Sequence, residues 1–284
     1  MSTRLAGVIG WPIAHSLSPR MHTFWLREQG IDGAYVPLPV ERPDFARAVM
    51  GLARAGFAGL NVTIPHKQAA FALAHEADEA ARDAGAANLL LFKEGGRIEA
   101  RNTDALGLAA SLASELGPDC LRGKVVVVAG AGGAARAALV AFGRMGASEI
   151  RIIARKPERA DALVRSVSQR ISAQMQTVLW SDWGKTARDA ALFVNATSAG
   201  MAGNPRLDLS LDPLAQTAAV FDMVYNPLET PLLKAARTRG HRVIDGLGML
   251  MHQALPAFAA FYGVMPSVTP ALRAELEKAL QDER

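Results

Sequence analysis

The sequence predicts an α/β protein with two units, and three observations lead to this fold class. Short apolar runs alternate with longer segments of helical periodicity along nearly the whole chain, as in parallel sheets with helices between the strands. The chain has 284 residues, which exceeds the usual size of a single domain. A new apolar strand followed by a glycine-rich turn begins after Lys124, so we expect a second α/β unit that begins near residue 105.

The first third of the chain contains three apolar runs separated by amphipathic segments. The predicted strands are residues 5–10, 34–39 and 59–63, and the predicted helices between them are residues 19–28 and 44–54. Two further runs, 88–93 and 97–101, flank a Glu-Gly-Gly sequence that suits a hairpin turn. In the remainder, strands are predicted at 125–129, 150–154, 192–195, 220–223 and 241–244, with helices from Gly246 to the end.

Composition excludes several classes of protein. The 50% hydrophobic content suits a globular core and not a disordered chain. The net charge is only +4 and the charges are scattered, so nothing indicates a nucleic-acid-binding protein. Cys120 is the only cysteine, which excludes an intrachain disulfide and suits a reducing compartment. There is no signal-peptide pattern and no apolar run of about 18 residues, so we expect a soluble, cytoplasmic protein without a membrane partner.

The glycine-rich turn lies between a strand and a helix, as a dinucleotide-binding turn must. Gly130 permits the tight turn, Gly132 lets the backbone approach a pyrophosphate, and small Ala135 suits the close contact of helix and strand. The free N–H groups of the helix N-terminus would bind the phosphates. An ordinary strand-to-helix turn is the alternative. The predicted cofactor residues of this turn are Gly130, Gly132, Gly133 and Ala134.

The segment after the next strand bears on the choice of cofactor. In NAD-binding proteins an acidic residue about 20 positions beyond the glycines binds the ribose hydroxyls. Here Arg155 and Lys156 follow the strand, and Glu158 lies farther on. Two cations would hold a 2′-phosphate, with arginine suited to grip its oxygens. A solvated basic turn is the alternative, but the pattern favours NADP.

Three polar strings of the first third, 10–22, 61–67 and 102–104, each follow a predicted strand, and this is the edge of an α/β sheet where ligands bind. Ser18, which precedes Pro19, can be explained as a helix N-cap as readily as by a role in ligand binding. Ser16 lacks that explanation, and two hydroxyls beside a helix N-terminus would suit a carboxylate.

Lys67 is placed against the local preference of a helix. Pro65 is expected to open a helix, which puts Lys67 in its first turn, where a cation faces the positive end of the dipole. A surface lysine is the alternative, and Asp104 can likewise be explained as an N-cap. If the two meet, they can take a proton from a substrate hydroxyl as hydride leaves its carbon. The six histidines and the single cysteine lack ligand spacing, so no metal is expected.

Seven strings together resemble the shikimate dehydrogenase family: GWPIAHSLSPRMH, NVTIPHK, NTD, GAGGAARA, NATSAGM, DMVYNPLETPLL and DGLGMLMHQA. They run in order from residue 10 to about residue 254. The resemblance implies reversible reduction of 3-dehydroshikimate to shikimate by NADPH in aromatic amino-acid biosynthesis. It implies a substrate domain of residues 1–104 and 246–284, to which the C-terminal helices return, and a Rossmann-type NADP domain of residues 105–245.

The resemblance also implies roles for individual residues. Lys67 and Asp104 would be the catalytic pair, and a cyclic hydroxy acid would be the substrate. Its carboxylate would be held by Ser16 and Ser18, and its hydroxyls by Asn61, Thr63, Asn88 and Gln253, with Tyr225 nearby. The 2′-phosphate would lie on Arg155, Lys156 and Arg159, and the nicotinamide side would be lined by 195–201, including Thr197, and by Met223, Gly246 and Met249.

Two departures from the family pattern leave alternatives open. Leu89 stands where the family has a hydroxyl, and Ala154 stands where it has asparagine. Both departures would suit a relative that acts on quinate or an aminoshikimate, and such a relative could use NAD in place of NADP. A catalytically silent binding or regulatory protein on the same fold is the third alternative, and the presence of both Lys67 and Asp104 argues against it. The sequence leaves monomer and homodimer equally open.

Overall fold

A computed structural model describes residues 3–282 of the chain. They divide into two compact units, each with its own sheet: the residues up to Thr103 together with those from Gln253 onward, and Asp104–His252. The predicted α/β class is confirmed. In the described part of the chain, no helix is long and apolar enough to cross a membrane.

The first unit contains a six-stranded mixed sheet. Its strands are β1 (Arg4–Gly10), β2 (Gly33–Pro39), β3 (Phe57–Val62), β4 (Glu76–Ala77), β5 (Leu89–Phe92) and β6 (Ile98–Arg101). They lie in the order β2-β1-β3-β5-β6-β4. The first three strands are parallel, whereas β5 runs antiparallel to β3 and to β6. The predicted hairpin is therefore confirmed, and it interrupts the parallel pattern expected nearly throughout.

Helices cover both faces of this sheet. They are α1 (Ser18–Glu28), α2 (Phe45–Arg54), α3 (Lys67–Leu73), α4 (Glu79–Ala84) and α11 (Pro270–Asp282), with the later part of α10 (Gly246–Tyr262). On one face, Ile9, Leu60 and Leu90 form a buried cluster with Phe45 of α2. An aromatic cluster built on α1 and α10 includes Trp25, whose indole N–H donates to the Ser267 carbonyl at 3.0 Å.

The second unit contains six parallel strands: β7 (Val125–Ala129), β8 (Glu149–Ile153), β9 (Gln174–Val178), β10 (Ala190–Asn195), β11 (Ala219–Asp222) and β12 (Arg242–Ile244). Their order is β12-β11-β10-β7-β8-β9, the strand order of the Rossmann fold. Helix α5 (Asp104–Leu116) precedes these strands, and the helices between them are α6 (Gly133–Arg144), α7 (Pro157–Val167), α8 (Trp183–Thr186) and α9 (Pro231–Thr238). The valine run of β7 is buried because helices cover both faces of a parallel sheet.

Candidate active site

The sheet of the first unit brings the predicted site segments to one edge. Because β1 and β3 are parallel, the segments after Gly10 and Val62 leave the sheet on the same side. The antiparallel strand β5 begins at this edge, and β6 ends at it. Two backbone hydrogen bonds join the segments: Trp11 N–H to the Ile64 carbonyl at 3.0 Å, and Val62 N–H to the Asn88 carbonyl at 2.8 Å.

Asn88 is the centre of a polar network at this edge. Its Nδ2 donates to Thr103 Oγ1 at 2.9 Å and to Gln253 Oε1 at 3.2 Å, and its Oδ1 accepts from the Thr103 N–H at 2.9 Å. The Thr103 hydroxyl in turn donates to the Gln253 carbonyl at 2.8 Å. The fold therefore brings the predicted residues Asn88 and Gln253 together. Thr103 was not among the predicted site residues, although it is the middle residue of the NTD string.

Asn61 lies beside this network and is buried. Its Nδ2 donates to the Asn88 carbonyl at 3.3 Å, and its Oδ1 accepts from the Tyr35 hydroxyl at 2.8 Å. Thr63 follows β3 at the same edge, is half-buried, and donates its N–H to the Ile9 carbonyl at 3.0 Å. Sequence reasoning missed Tyr35, because an aromatic residue in a strand is usually a core residue.

The two serines differ from expectation in their local roles. Helix α1 begins at Ser18 itself, and its N-cap residue is Leu17, whose side chain makes no capping hydrogen bond. The prediction of Ser18 as N-cap is therefore wrong, because Pro19 occupies the second helical position and not the first. Ser16 Oγ accepts a 3.3 Å hydrogen bond from the Ser18 N–H, so Ser16 satisfies the N–H of the first helical residue.

Lys67 is the first residue of α3, so its predicted place in the first turn of a helix is confirmed. The prediction that Pro65 opens this helix is wrong, because Pro65 lies in the preceding turn. The Lys67 carbonyl accepts the Ala87 N–H at 2.8 Å, which ties the start of α3 to the segment before β5. His66 is buried, contacts the Val40 carbonyl at 2.7 Å through Nε2, and stacks on Phe45, which gives it a packing role.

Asp104 is the first residue of α5, and the second unit begins with it. The alternative of an N-cap before the helix is therefore wrong: the carboxylate lies in the first turn, where it stabilises the helix dipole. Its side chain is half-buried.

The glycine turn of the second unit has the geometry that a phosphate site needs. Gly130 has a φ of +123°, and a Cβ there would lie 2.9 Å from the Ala196 carbonyl oxygen, so only glycine fits. Gly132 is the extended N-cap of α6, and a Cβ on it would meet open space. Gly132, Gly133 and Ala134 are all exposed, so the first N–H groups of α6 are open to a ligand.

Arg155 and Lys156 follow β8 and are exposed. Since β7 and β8 are parallel, these cations leave the sheet at the same edge as Gly130. Lys156 is the N-cap residue of α7, its carbonyl accepts the Arg159 N–H at 3.0 Å, and Glu158 lies in the first turn of this helix. Arg155, Lys156 and Arg159 therefore lie close together in sequence at the start of α7.

A buried carboxylate links the two loops that follow β10 and β11, at the edge of the second sheet where β7 also ends. Asp222 accepts hydrogen bonds from Thr230 Oγ1 at 2.6 Å, Asn195 Nδ2 at 2.9 Å and the Val224 N–H at 3.1 Å. Burial raises the pKa of Asp222 to about 6, although these hydrogen bonds oppose the rise. Asn195 Oδ1 accepts from Thr197 Oγ1 at 2.7 Å. Asp222 thus joins the loop that carries Thr197 to the loop that carries Val224, a role that the sequence did not reveal.

This part of the second unit also contains three residues predicted for the nicotinamide side, Met223, Gly246 and Met249, and one predicted for the substrate site, Tyr225. Gly246 begins α10 against Met223, since a Cβ on it would overlap the Met223 carbonyl oxygen. Met249 packs against the core of the unit. Tyr225 lies half-buried, one residue beyond Val224. Within residues 3–282, no three His, Cys, Asp or Glu side chains are grouped closely enough to hold a metal ion.

Comparisons with known proteins agree with this arrangement. The sequence profile described as "Shikimate dehydrogenase substrate binding domain" matches residues 8–90. A protein of Acidiphilium cryptum named shikimate dehydrogenase (NADP(+)) is 51% identical over 269 residues, which is 95% of this chain and 94% of the relative.

Two solved structures are similar over nearly the whole chain. Shikimate 5-dehydrogenase of Thermus thermophilus in complex with NADP(H) and shikimate has a TM-score of 0.84 at 33% identity, with 99% of each chain covered. Quinate dehydrogenase of Corynebacterium glutamicum in complex with NAD has a TM-score of 0.88 at 30% identity, with 98% of this chain and 99% of the other covered. The fold, the ordered motifs and the full-length relative lead to one conclusion: the chain belongs to the shikimate dehydrogenase family.

Proposed function

We propose that the chain catalyses the reversible, NADPH-dependent reduction of 3-dehydroshikimate to shikimate, a step of aromatic amino-acid biosynthesis, in the cytoplasm. The observation that carries the proposal is the network of Asn61, Asn88, Thr103 and Gln253 at the sheet edge where Lys67 begins α3. Amide and hydroxyl groups fixed at one edge are what recognition of a substrate with several hydroxyls requires. The full-length relative named as an NADP-dependent enzyme supports the same reaction.

In this proposal each unit has its own task. Ser16 and Ser18, at the N-terminus of α1, hold the substrate carboxylate, and the asparagine network orients the ring hydroxyls. Lys67 donates the proton to the carbonyl oxygen of 3-dehydroshikimate as hydride reaches its carbon, and takes the proton back in the reverse direction. Asp104 is the second member of the proposed catalytic pair. Thr63 and Tyr225 complete the substrate site.

The glycine turn fits a dinucleotide, because a Cβ at Gly130 would close the turn whereas Gly132 leaves space beside the helix N-terminus. Gly130, Gly132, Gly133 and Ala134 would hold the pyrophosphate, and Arg155, Lys156 and Arg159 the 2′-phosphate. When bound, NADPH supplies the hydride. Thr197, Met223, Gly246 and Met249 would exclude water around the ring that carries it. The substrate domain then comprises residues 1–104 and 246–284, and the NADP domain residues 105–245.

Leu89 and Ala154 depart from the family pattern, and these departures suggest a second candidate, a quinate-preferring enzyme that uses NAD. Leu89, however, has no exposed surface, so the hydroxyl that the family carries there would have lain in the core and not on the surface of the site. Ala154 is half-buried against the core of the second unit, and the cations that follow it are retained. Both observations support shikimate with NADP over the alternative.

A steady-state assay of shikimate and quinate, each against NADP and NAD, tests the proposal. We expect the highest kcat/KM for shikimate with NADP. A preference for quinate with NAD would overturn the proposed substrate and cofactor in favour of the second candidate. Binding of shikimate or NADP without turnover of either acid would identify a silent binding protein.

A further inference from the structure

Tyr35 contacts Asn61, one of the residues proposed to bind substrate. It lies in β2, is 5% exposed, and donates its phenol hydrogen to Asn61 Oδ1 at 2.8 Å. A buried hydroxyl therefore contacts a residue that is proposed to bind a substrate hydroxyl.

The partners of Asn61 determine which way its amide faces. The Asn88 carbonyl can only accept a hydrogen bond, so the Asn61 atom 3.3 Å from it must be Nδ2. Oδ1 then faces the Tyr35 hydroxyl, which supplies the donor that this orientation requires. Nδ2 keeps one further N–H, and a hydroxyl oxygen of the substrate is the acceptor that it would meet. Without the Tyr35 hydroxyl, the Asn61 amide would lose the donor that holds its Oδ1 in this orientation.

The Tyr35 ring is itself held in place. It stacks on His22 with 3.8 Å between ring centroids and 12° between the planes, and His22 is fully buried beside Trp25 and Phe258. Burial lowers the pKa of His22 to about 3, so its ring stays neutral and offers Tyr35 a flat, uncharged surface. The phenol oxygen thus has little freedom to move away from Asn61.

We propose that Tyr35 is a positioning residue of the substrate site, which fixes the Asn61 amide so that it offers an N–H group to a ring hydroxyl of the substrate. The inference rests on the proposed function, because it takes Asn61 to be a substrate ligand. Tyr35 does not act on the reacting atoms. It acts on affinity for the cyclic acid through Asn61.

Tyr35→Phe removes the hydroxyl and keeps the ring, and Tyr262→Phe is its matched control. Tyr262 is also a buried tyrosine of this unit, and its hydroxyl donates to the carbonyl of Ala34, the neighbour of Tyr35 in β2, at 3.0 Å. Both variants therefore lose one phenol hydrogen bond to the same region, but only Tyr35→Phe loses a bond to Asn61. Steady-state kinetics and thermal unfolding are measured for both, with shikimate and NADP varied separately.

We expect Tyr35→Phe to raise KM for shikimate about fivefold to tenfold, the effect of one lost buried hydrogen bond, with KM for NADP and kcat changed less than about twofold. Tyr262→Phe should leave both KM values unchanged. In an Asn61→Ala background, Tyr35→Phe should add no further increase, because the amide it orients is absent. Equal losses of Tm in the two phenylalanine variants with unchanged KM for shikimate in both would overturn the proposal.

The wild-type assay separates this inference from the proposed function. If the wild type turns over shikimate and Tyr35→Phe behaves like Tyr262→Phe, only the role of Tyr35 is wrong. If the wild type prefers another cyclic acid, the proposed substrate is wrong, and the same comparison of variants on that acid decides the role of Tyr35. If the wild type neither binds nor turns over a cyclic acid, both proposals fail.

Discussion

The Asp222 carboxylate accepts a 2.9 Å hydrogen bond from the Asn195 amide, and both side chains have no exposed surface. The two residues are the last of the neighbouring strands β11 and β10. Asn195 continues the chain of contacts to Thr197, and Asp222 continues it to Thr230. A single buried pair thus sets the course of both loops that leave this edge of the second sheet.

Because burial raises the pKa of Asp222 to about 6, folding favours the protonated carboxyl. Its stabilising contribution is complete below the unfolded value of 3.8 and is lost as the pH rises through about 6. We expect this part of the pH dependence, roughly 3 kcal/mol of unfolding free energy, to vanish in Asp222→Asn. Urea denaturation of both proteins between about pH 4 and pH 7 measures it.

Asp212→Asn is the control for this comparison. Hydrogen bonds from Ser210 and Arg239 lower the pKa of this exposed carboxyl, so its removal cannot produce a slope of the same sign. Parallel stability profiles of the wild type and Asp222→Asn would contradict the assigned effect of burial on Asp222.

Lys67→Ala should lower kcat by about 100-fold to 10,000-fold, because the proton would have no side chain to donate or accept it. KM for shikimate should change far less. Gln68→Ala, the next residue of α3 and exposed to solvent, is the control and should keep wild-type kinetics. If Lys67→Ala leaves turnover of the best substrate unchanged, the proposed mechanism is wrong.

Alanine at Gly130 and at Gly132 should separate folding from cofactor binding. Gly130→Ala combines a positive φ with a contact 2.9 Å from the Ala196 carbonyl oxygen, so we expect a loss of about 1–3 kcal/mol of stability. Gly132→Ala meets open space, so the fold should tolerate it while the methyl group obstructs the pyrophosphate. Its KM for NADP should rise about tenfold with unchanged Tm. Unchanged NADP kinetics in Gly132→Ala would exclude this turn from the cofactor site.

Arg155→Ala should reduce the preference for NADP over NAD. The loss of a charge-assisted contact to the 2′-phosphate should raise KM for NADP about tenfold to 100-fold and leave NAD kinetics unchanged. Arg188→Ala is the control, since this exposed arginine hydrogen-bonds the Gly184 carbonyl of its own helical turn. An equal effect of Arg155→Ala on both cofactors would contradict a specific role at the 2′-phosphate.

The sequence predicted the buried central strands, because an unbroken apolar run has few other uses in a chain of this length, and it also predicted the edge strands β2 and β12. The predicted bounds of β7, residues 125–129, agree with the observed Val125–Ala129. The edge strand β9 was missed, since Gln174–Val178 has no fully buried residue and mixes polar with apolar side chains. The strand β4 has only two residues, Glu76–Ala77, and is defined by its pairing with β6.

The candidate site was predictable where one residue opposed its local setting, as Lys67 does in a first helical turn. It was not predictable where several distant segments supply the partners. The buried Asp222 carboxyl accepts hydrogen bonds from Asn195, Val224 and Thr230, and Asn61 accepts one from a tyrosine 26 positions earlier in the chain. Such relationships arise from the packing of strands and carry no local signal.

The hydrogen bond between the Thr103 hydroxyl and the Gln253 carbonyl, 2.8 Å long, joins the two points at which the chain leaves and re-enters the first unit. The second unit is therefore an insertion into an otherwise complete architecture. A short linker from Thr103 to Gln253 would delete Asp104–His252 without stretching the remaining backbone. A simple C-terminal truncation, in contrast, would remove Phe258 and Ser267, which Trp25 of α1 contacts. A gene that encodes the isolated first unit therefore has to join the two end segments of the coding sequence, without the segment between them.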